Sequence, residues 1–291
     1  MDDDGQYYFV MKYVQGEDLS TLIGKLREGD PDYHKRYSFE RRARMFLEIV
    51  EAVRFAHNKQ IIHRDLKPGN IRIGAYGEVM VMDWGLSKPF KRDAETLVQT
   101  LDGPLPSLDI PQQRLFETQQ GILVGTPAYM SPEQAYGKHD AMDQRSDIYS
   151  LGVLFYELTT LRHPFESCET LEALLGAITQ TDPVPAWSVV HPAQGRVPRE
   201  LGFMIAKAMA RDPAERYGTL EPWAAELEAY LDARSGIYCT STFVKRGVQG
   251  YTHFLDSHRV LAVSLLGLIA LSSLLGGVQS LRWLLSLLGL L

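Results

Sequence analysis

The first part of the chain alternates between short apolar runs and stretches in which apolar residues recur every three or four positions. Residues 7–14 are rich in aromatic and β-branched side chains, which predicts a strand. After Gly16 interrupts this run, the apolar periodicity of residues 19–26 predicts a helix. The longer periodic stretch at residues 39–59 predicts an amphipathic helix that buries one face, with Ser38 as its N-cap.

The rest of the chain is predicted to be mostly helical. Two short apolar runs, at residues 70–73 and 78–82, flank turn residues and predict a β-hairpin. Residues 88–122 show no sustained periodicity and are rich in polar residues and proline, which favours a long surface segment over a core element. Further helices are predicted at residues 147–160, 171–179, 198–210 and 219–233.

Composition narrows the class of protein. The 291 residues are 45% hydrophobic and 23% charged, which is enough material for one globular core and excludes a disordered or fibrous chain. The net charge of -6 is not accompanied by a basic stripe, so we do not expect nucleic acid as a partner. The two cysteines, Cys168 and Cys239, lack metal-site spacing, and a reducing compartment suits them best.

The 22 residues 260–281 contain no charged side chain. At a rise of about 1.5 Å per residue they reach roughly 33 Å, the thickness of a bilayer core, which predicts a transmembrane helix. A buried core helix or a re-entrant hairpin remains the alternative. Three basic residues precede the span and one follows, so the positive-inside rule favours a cytoplasmic globular part. Residues 234–259 are then a juxtamembrane linker and residues 282–291 a short apolar tail.

The polar loop before the predicted hairpin carries the string HRDLKPGN at residues 63–70. This string resembles the catalytic loop of protein kinases. Phosphoryl transfer needs a carboxylate for the attacking hydroxyl, a cation near the moving phosphoryl group and oxygen ligands for magnesium. The resemblance assigns these roles to Asp65, Lys67 and Asn70, in that order. A lysine two positions after the aspartate is the serine/threonine form of the loop.

Two later strings support the resemblance. Asp83 begins DWG, which resembles the metal-binding DFG motif at the family's usual distance from the catalytic loop, and implies a second magnesium ligand. Residues 124–133, VGTPAYMSPE, resemble the end of a kinase activation segment. That match implies that Thr126 contacts Asp65 and Lys67 and shapes the peptide site, although a simple turn threonine remains an alternative.

The resemblance also covers the hinge and two structural contacts. It places Met11 at the gatekeeper position, lets Lys12 and Val14 offer backbone hydrogen bonds to adenine, and sets Asp18 near the ribose. It implies that two contacts hold the lobe together, in which Asp147 ties down the catalytic-loop backbone and Arg216 pairs with Glu133.

The sequence departs from the family in three places. No Gly-rich loop, strand lysine or partner glutamate precedes the hinge, which implies a missing small lobe, an open nucleotide site and reduced activity of this chain. Arg72 stands where the family has an apolar side chain against the adenine. The activation segment is longer than usual at residues 88–122, where a phosphorylated residue could pair with Arg64; the candidates are Thr96, Thr100, Ser107 and Thr118.

The sequence therefore predicts an α+β, protein-kinase-like fold at residues 1–233, a mainly helical large lobe without its small lobe, followed by one C-terminal transmembrane helix. The predicted function is a bacterial-type serine/threonine protein kinase in signalling, anchored by a single pass and facing the cytoplasm. It would use ATP and Mg²⁺ and phosphorylate protein substrates on Ser or Thr. The alternative is a truncated or pseudokinase-like lobe that acts as a membrane-tethered binding module. The oligomeric state stays open.

Overall fold

In the computed structural model, the described residues are 14–84, 88–89, 127–137 and 142–232, and they form eight α-helices and five short strands. The helices are α1 Leu19–Arg27, α2 Pro31–Arg36, α3 Phe39–Asn58, α4 Pro132–Ala135, α5 Gln144–Thr160, α6 Leu171–Gln180, α7 Arg199–Ala208 and α8 Glu221–Leu231. The strands are β1 Glu17–Asp18, β2 Ile61–Ile62, β3 Ile71–Ile73, β4 Val79–Val81 and β5 Lys88–Pro89. The predicted α+β class is confirmed.

The strands form two small antiparallel sheets. β3 lies between β1 and β4, with Asp18 opposite Arg72 and Ile71 opposite Val81. The β3–β4 pair is the hairpin that the sequence predicts. β2 pairs with β5, so the start of the segment 88–122 is a strand, although its sequence predicts no regular element. These short strands surround the polar loop at residues 63–70.

The core is organised around α5, in which every residue from Ser146 to Thr160 is buried. A helix with no exposed face must be covered on all sides. α3 and α7 are the main helices that pack against this one. Phe46 of α3 stacks on Phe155 of α5 with ring centroids 3.9 Å apart, and it also contacts Trp223 of α8 at 5.1 Å. The amphipathic face predicted for residues 39–59 is therefore the face that packs on α5 and α8.

Gly152 sets the distance between α5 and the end of α7. A Cβ atom at this position would lie 2.7 Å from Cγ of Met209 and 3.1 Å from Cβ of Ala208. Both distances are shorter than ordinary carbon contacts, so this close approach requires glycine.

Local signals explain the helix boundaries. Ser38 caps α3 as predicted, because its hydroxyl accepts a hydrogen bond from the backbone N–H of Arg41 at 3.3 Å. The short helix α2 was not predicted, since it buries no side chain and has no apolar periodicity. Its start is set by local contacts instead. Asp30 accepts hydrogen bonds from two backbone N–H groups, and Pro31 occupies the first helical position.

Several predicted elements fall on parts of the chain that lie outside the described residues. These are the strand at residues 7–14 except for Val14, most of the segment 88–122, and the span at residues 260–281. Among the helices of the described residues, none combines the length and the apolar character that crossing a bilayer requires.

A buried ion pair links α4 to the segment before α8. Arg216 donates to both carboxylate oxygens of Glu133, at 2.8 and 2.9 Å, as the sequence predicts. Its remaining donors reach three backbone carbonyls, those of Arg145, Ala210 and Arg211. Burial alone would raise the pKa of Glu133, but the hydrogen bonds and charge of Arg216 and a hydrogen bond from Ser146 hold that pKa below its ordinary range. The carboxylate is therefore ionised at neutral pH.

We expect Glu133→Gln to lower the free energy of unfolding by about 3–5 kcal/mol, because it leaves the buried charge of Arg216 uncompensated. Urea denaturation followed by circular dichroism measures this loss. Because the native pKa of Glu133 is lowered, the loss is fully present above the ordinary pKa of glutamate and shrinks as the pH falls below it.

The matched control is Glu166→Gln, which removes a carboxylate from the half-exposed pair with Arg162 at 3.4 Å. Such pairs contribute little, so a change of less than about 0.5 kcal/mol is expected. Equal losses in the two variants would show that the Glu133 pair is not the stabilising contact described here.

Candidate active site

The polar loop at residues 63–70 is held in place by a carboxylate from the start of α5. Oδ2 of Asp147 accepts hydrogen bonds from the backbone N–H of His63 and from Nε2 of His57, both at 2.8 Å. Oδ1 accepts from the backbone N–H of Arg64 at 2.9 Å, and Arg64 has a positive φ of 70°. Asp147 thus fixes a strained stretch of backbone, which confirms the contact that the sequence predicts.

Asp65 lies at the centre of the loop and is 8% exposed. Nζ of Lys67 lies 2.6 Å from its Oδ2. The side-chain amide of Asn70 donates to the same oxygen at 3.2 Å and to the backbone carbonyl of Asp65 at 2.8 Å. Both side-chain contacts fall on Oδ2, which leaves Oδ1 as the oxygen that can accept a proton. The structure therefore brings together the three residues that the sequence predicts to be catalytic.

The strand β4 delivers Asp83 to the same place. The backbone N–H of Met82 donates to the carbonyl of Asn70 at 2.8 Å, which sets Asp83 beside the end of the loop. The carboxylate of Asp83 is exposed, and its backbone has a positive φ of 62°. Asp83 is thus an exposed carboxylate whose chain neighbour Met82 is bonded to Asn70, and its role as a metal ligand together with Asn70 stays a prediction.

His63 joins the loop to the strand that carries Asp83. Its Nε2 lies 3.0 Å from the carbonyl of Met82, and its Nδ1 accepts the backbone N–H of Asp65 at 3.3 Å. These contacts assign the proton to Nε2. The ring of Trp84 lies 4.5 Å from the His63 ring. Sequence reasoning gave His63 no role of its own, although its ring joins the backbone of Asp65 to that of Met82, the residue before Asp83.

The two predicted metal ligands suit magnesium. Asn70 uses its amide nitrogen inside the loop, which leaves Oδ1 for a cation, and Asp83 supplies an exposed carboxylate. Mg²⁺ is bound in phosphoryl-transfer sites by one or two protein oxygens together with the phosphates. Within the described ranges, no cluster of three or more His, Cys, Asp and Glu side chains could hold a metal by itself. The site therefore fits a metal that arrives with a phosphate ligand.

Asp18 has two roles in the structure, and sequence reasoning assigned it only a place near the ribose. Its Oδ1 caps α1 by accepting from the backbone N–H of Thr21 at 2.8 Å and from the hydroxyl of Ser20. Its Oδ2 lies 3.7 Å from Nη1 of Arg72. Burial opposes ionisation of Asp18, but these hydrogen bonds and the charge of Arg72 keep its pKa below the ordinary range. Asp18 is thus a carboxylate shared between a helix cap and a cation.

The other predicted site residues are placed in part. Val14 is described, and its carbonyl oxygen lies 3.5 Å from Nη2 of Arg72. Met11, Lys12 and Thr126 lie outside the described residues. Arg64 is partly buried, and burial lowers the pKa of its guanidinium. Its predicted pairing with a phosphorylated residue of the segment 88–122 stays a prediction.

A second network, which sequence reasoning missed, links α1, α5 and the turn Pro127–Tyr129. Arg27 donates to Oε1 of Glu157 at 2.9 Å, and the hydroxyl of Tyr129 donates to Oε2 of the same carboxylate. Burial, together with the neighbouring charge of Glu157, raises the pKa of Tyr129 far above its ordinary value, so the phenol stays protonated. The sequence signal for this network is Glu157, a glutamate that directly follows the apolar and aromatic run at residues 151–156.

The end of the predicted activation segment is also attached to the loop. Ser131 and Gln134 form a capping box at the start of α4, in which Ser131 accepts from the Gln134 backbone and Gln134 accepts from that of Ser131. The amide nitrogen of Gln134 then donates to the backbone carbonyl of Arg64 at 3.2 Å. The start of α4 is therefore fixed to Arg64, the residue that precedes Asp65.

Comparison with known proteins supports the resemblance to protein kinases that the sequence motifs indicate. The family model "Protein kinase domain" matches residues 1–227. The chain is 35% identical over 238 residues to the serine/threonine-protein kinase PknD of Protochlamydia amoebophila, covering 80% of this chain and 23% of that protein. It is 31% identical over 234 residues to PknD of Chlamydia abortus, covering 79% and 24%. It is also 32% identical over 271 residues to the tyrosine-protein kinase MasK of Myxococcus xanthus, covering 88% and 36%.

The chain thus spans about a quarter to a third of the length of these curated relatives. The matched region contains the whole site described above, from the loop at residues 63–70 to the ion pair of Arg216. Because the family model covers most of the chain and the site geometry agrees with it, the chain belongs to the protein kinase domain family, with bacterial serine/threonine kinases among its relatives.

Proposed function

We propose that this protein is a serine/threonine protein kinase that transfers the γ-phosphoryl group of ATP to Ser or Thr hydroxyls of other proteins in a signalling pathway. The observation that carries the proposal is the arrangement around Asp65, in which one carboxylate oxygen is oriented by Lys67 and Asn70. Such an arrangement leaves the second oxygen ready to receive the hydroxyl proton.

Each side chain then has a defined task. The acceptor oxygen attacks the γ-phosphorus, the bond to the β–γ bridging oxygen breaks, and ADP leaves while the hydroxyl proton passes to Asp65. Lys67 lies close enough to Asp65 to balance negative charge on the transferred group. Asn70 and Asp83 would hold Mg²⁺, which neutralises the phosphate charges when it is bound. The protein's contribution is mainly position and electrostatics, as in phosphoryl transfer generally.

The acceptor class rests on Lys67 and on the names of two relatives. Lys67 occupies the position that the serine/threonine form of the loop gives to lysine, and both PknD relatives are named serine/threonine kinases. Because another relative is named a tyrosine-protein kinase, the amino acid that accepts the phosphate has to be determined by experiment. The alternative of a binding module gains no support from the site, because all four polar side chains of the reaction are present.

We also propose that residues 260–281 anchor the protein in a membrane with the kinase domain in the cytoplasm. The support is the sequence itself. These 22 residues carry no charge, and more basic residues lie before them than after them.

We expect Asp65→Asn to lower the rate of phosphoryl transfer by about 10²–10⁴-fold, the usual contribution of a positioned base. The measurement is transfer of labelled phosphate from ATP and magnesium to a Ser/Thr-rich protein, with acid hydrolysis to identify the labelled amino acid. Phosphoserine and phosphothreonine are expected, whereas phosphotyrosine alone would contradict the proposed acceptor class.

The control for this variant is Asp32→Asn, which changes an exposed carboxylate on α2, outside the site. It should transfer phosphate at the wild-type rate. Labelling that is as strong in the Asp65 variant as in this control would refute the proposed role of Asp65.

We expect Asp83→Asn to raise the magnesium concentration needed for half-maximal transfer, because an amide oxygen is a weaker ligand than a carboxylate. Magnesium titration of the initial rate, with the Asp32 variant beside it, measures this shift. An unchanged magnesium requirement would mean that Asp83 does not bind the metal.

Removal of residues 260–281 should move the protein from the membrane pellet to the supernatant after cell lysis and high-speed centrifugation. A wash with carbonate at high pH separates spanning proteins from peripheral ones, and the full chain should resist it. Full-length protein found in the supernatant would contradict the proposed anchor.

A further inference from the structure

The surface formed by residues 183–207 differs in charge from the rest of the protein. The whole chain has 36 acidic and 30 basic residues, which gives a net charge of -6. Residues 183–207 instead contain three basic residues, Arg196, Arg199 and Lys207, which are all exposed. Their one acidic residue, Glu200, is buried. An acidic protein thus has a basic surface here, which we call the 183–207 face.

Apolar side chains are exposed on the 183–207 face as well. Val184 and Val190 are 59% and 60% exposed. Trp187 and Phe203 are both partly exposed, and their ring centroids lie 4.7 Å apart. A Cβ atom at Gly202 would lie 2.5 Å from Cε3 of Trp187, so this glycine allows the indole to lie directly on α7. The segment before α7 and the helix itself therefore form one surface.

The exposed rings and the basic side chains are neighbours. Arg199 precedes Phe203 by four residues on α7 and Lys207 follows it by four, so all three lie on one side of the helix. Lys207 lies 3.5 Å from a carboxylate oxygen of Glu226. The side chains of Arg196 and Arg199 form no ion pair or hydrogen bond with any residue that the structure describes. These two guanidinium groups are therefore available to an external anion.

We propose that the 183–207 face binds the anionic headgroups of the bilayer in which the protein is anchored. This inference rests on the proposed membrane anchor and adds how the kinase domain is oriented on the leaflet. Trp and Phe side chains beside basic residues are the composition of protein surfaces that lie in the membrane interface. The two rings enter the headgroup level, and the guanidinium groups of Arg196 and Arg199 bind phosphate and carboxylate groups of the lipids.

Charge selects this face as the one that turns toward the bilayer. A leaflet with anionic lipids repels a chain of net charge -6 but attracts a surface on which no acidic residue is exposed. Asp182, at the edge of the face, lies 2.5 Å from a guanidinium nitrogen of Arg211, so the pair adds no net charge there. The domain therefore rests on the leaflet with the 183–207 face and keeps its acidic surfaces in water.

The anchor supplies the proximity that a small basic face needs. Residues 232–259 lie between α8 and the predicted span, and their extended chain reaches at most roughly 100 Å. A tether of this length keeps the domain at a high effective concentration beside the leaflet. Two or three basic side chains are too few to hold a free domain on a membrane. The 183–207 face therefore orients the domain and does not replace the anchor.

The experiment is amide hydrogen exchange of the full chain in lipid nanodiscs, read by mass spectrometry. One set of discs contains phosphatidylcholine alone, and the other contains phosphatidylcholine mixed with phosphatidylserine. We expect the amides of residues 184–190 to exchange roughly 5-fold more slowly on the discs with phosphatidylserine, the effect of one basic side chain near an anionic surface. Raised salt should remove the difference, because it screens the charges.

Charge variants test whether this face makes the contact. The double variant Arg196→Gln, Arg199→Gln should lose the slower exchange on phosphatidylserine. The matched control is Lys35→Gln, Arg36→Gln, which removes two exposed charges from α2 and should keep the slower exchange. Val184→Glu places a carboxylate at an exposed position of the face and should also lose it. Thermal melts by circular dichroism show whether each variant is folded, and Val184→Glu replaces the arginine variant if the latter is not.

Equal exchange of residues 184–190 on the two kinds of disc would overturn the inference. Slower exchange that the arginine variant retains would also overturn it, since the contact would then not involve these guanidinium groups. Slower exchange that depends on protein concentration and not on phosphatidylserine would overturn it in favour of a contact between two copies of the chain.

The proposed anchor and this inference fail in different ways. A full chain that resists the carbonate wash but shows no effect of phosphatidylserine refutes the role of the 183–207 face and leaves the anchor. A full chain that the carbonate wash releases refutes the anchor and, with it, the inference that rests on the anchor. Neither result changes the role proposed for Asp65, which phosphate transfer tests separately.

Discussion

The arrangement of the proposed catalytic loop depends on one buried carboxylate, that of Asp147. It stands at the start of the helix that the whole core surrounds, and it accepts hydrogen bonds from two successive backbone N–H groups of the loop and from His57. A buried charge is tolerated only when such donors surround it, so the loop and the carboxylate stabilise each other. The position of Asp65 is therefore set by packing that lies deep in the domain. A core substitution that shifts Asp147 would therefore also shift Asp65, although it changes no residue of the proposed catalytic loop.

Much of the fold follows from periodicity along the sequence. The face of α3 that carries Phe46 could be predicted because its apolar residues recur at helical spacing, and Ser38 marks the start of the helix. Several short elements could not be predicted in this way, α2 and β5 among them. α2 buries nothing and depends on the cap of Asp30, and β5 is two residues long and contains a proline. Its pairing with β2 is a long-range contact that no local pattern encodes.

The candidate site shows a similar division. The motif residues Asp65, Lys67 and Asn70 were identified from the sequence because their order matches a known loop, and the structure brings them together. The resemblance also named two supporting contacts, those of Asp147 and Arg216, but the others were not identified, because they join residues far apart in the chain. Glu157 and His57 are examples, since each is a polar residue on a buried face whose partner only the fold reveals. Asp18 shows a third situation, in which the resemblance names a residue and the structure gives it a different neighbour, Arg72.

The close approach at Gly152 has a mechanical consequence for the site. α5 carries Asp147 near its start and Glu157 near its end, so one rigid helix holds both the catalytic loop and the turn at Tyr129. The neighbouring helix α7 leaves no room for a side chain at Gly152, halfway between these anchors. One added methyl group would force Met209 or the packing of α5 against the end of α7 to shift. The placement of Asp147 and Glu157 thus depends in part on the packing at Gly152, which lies midway between them in the sequence.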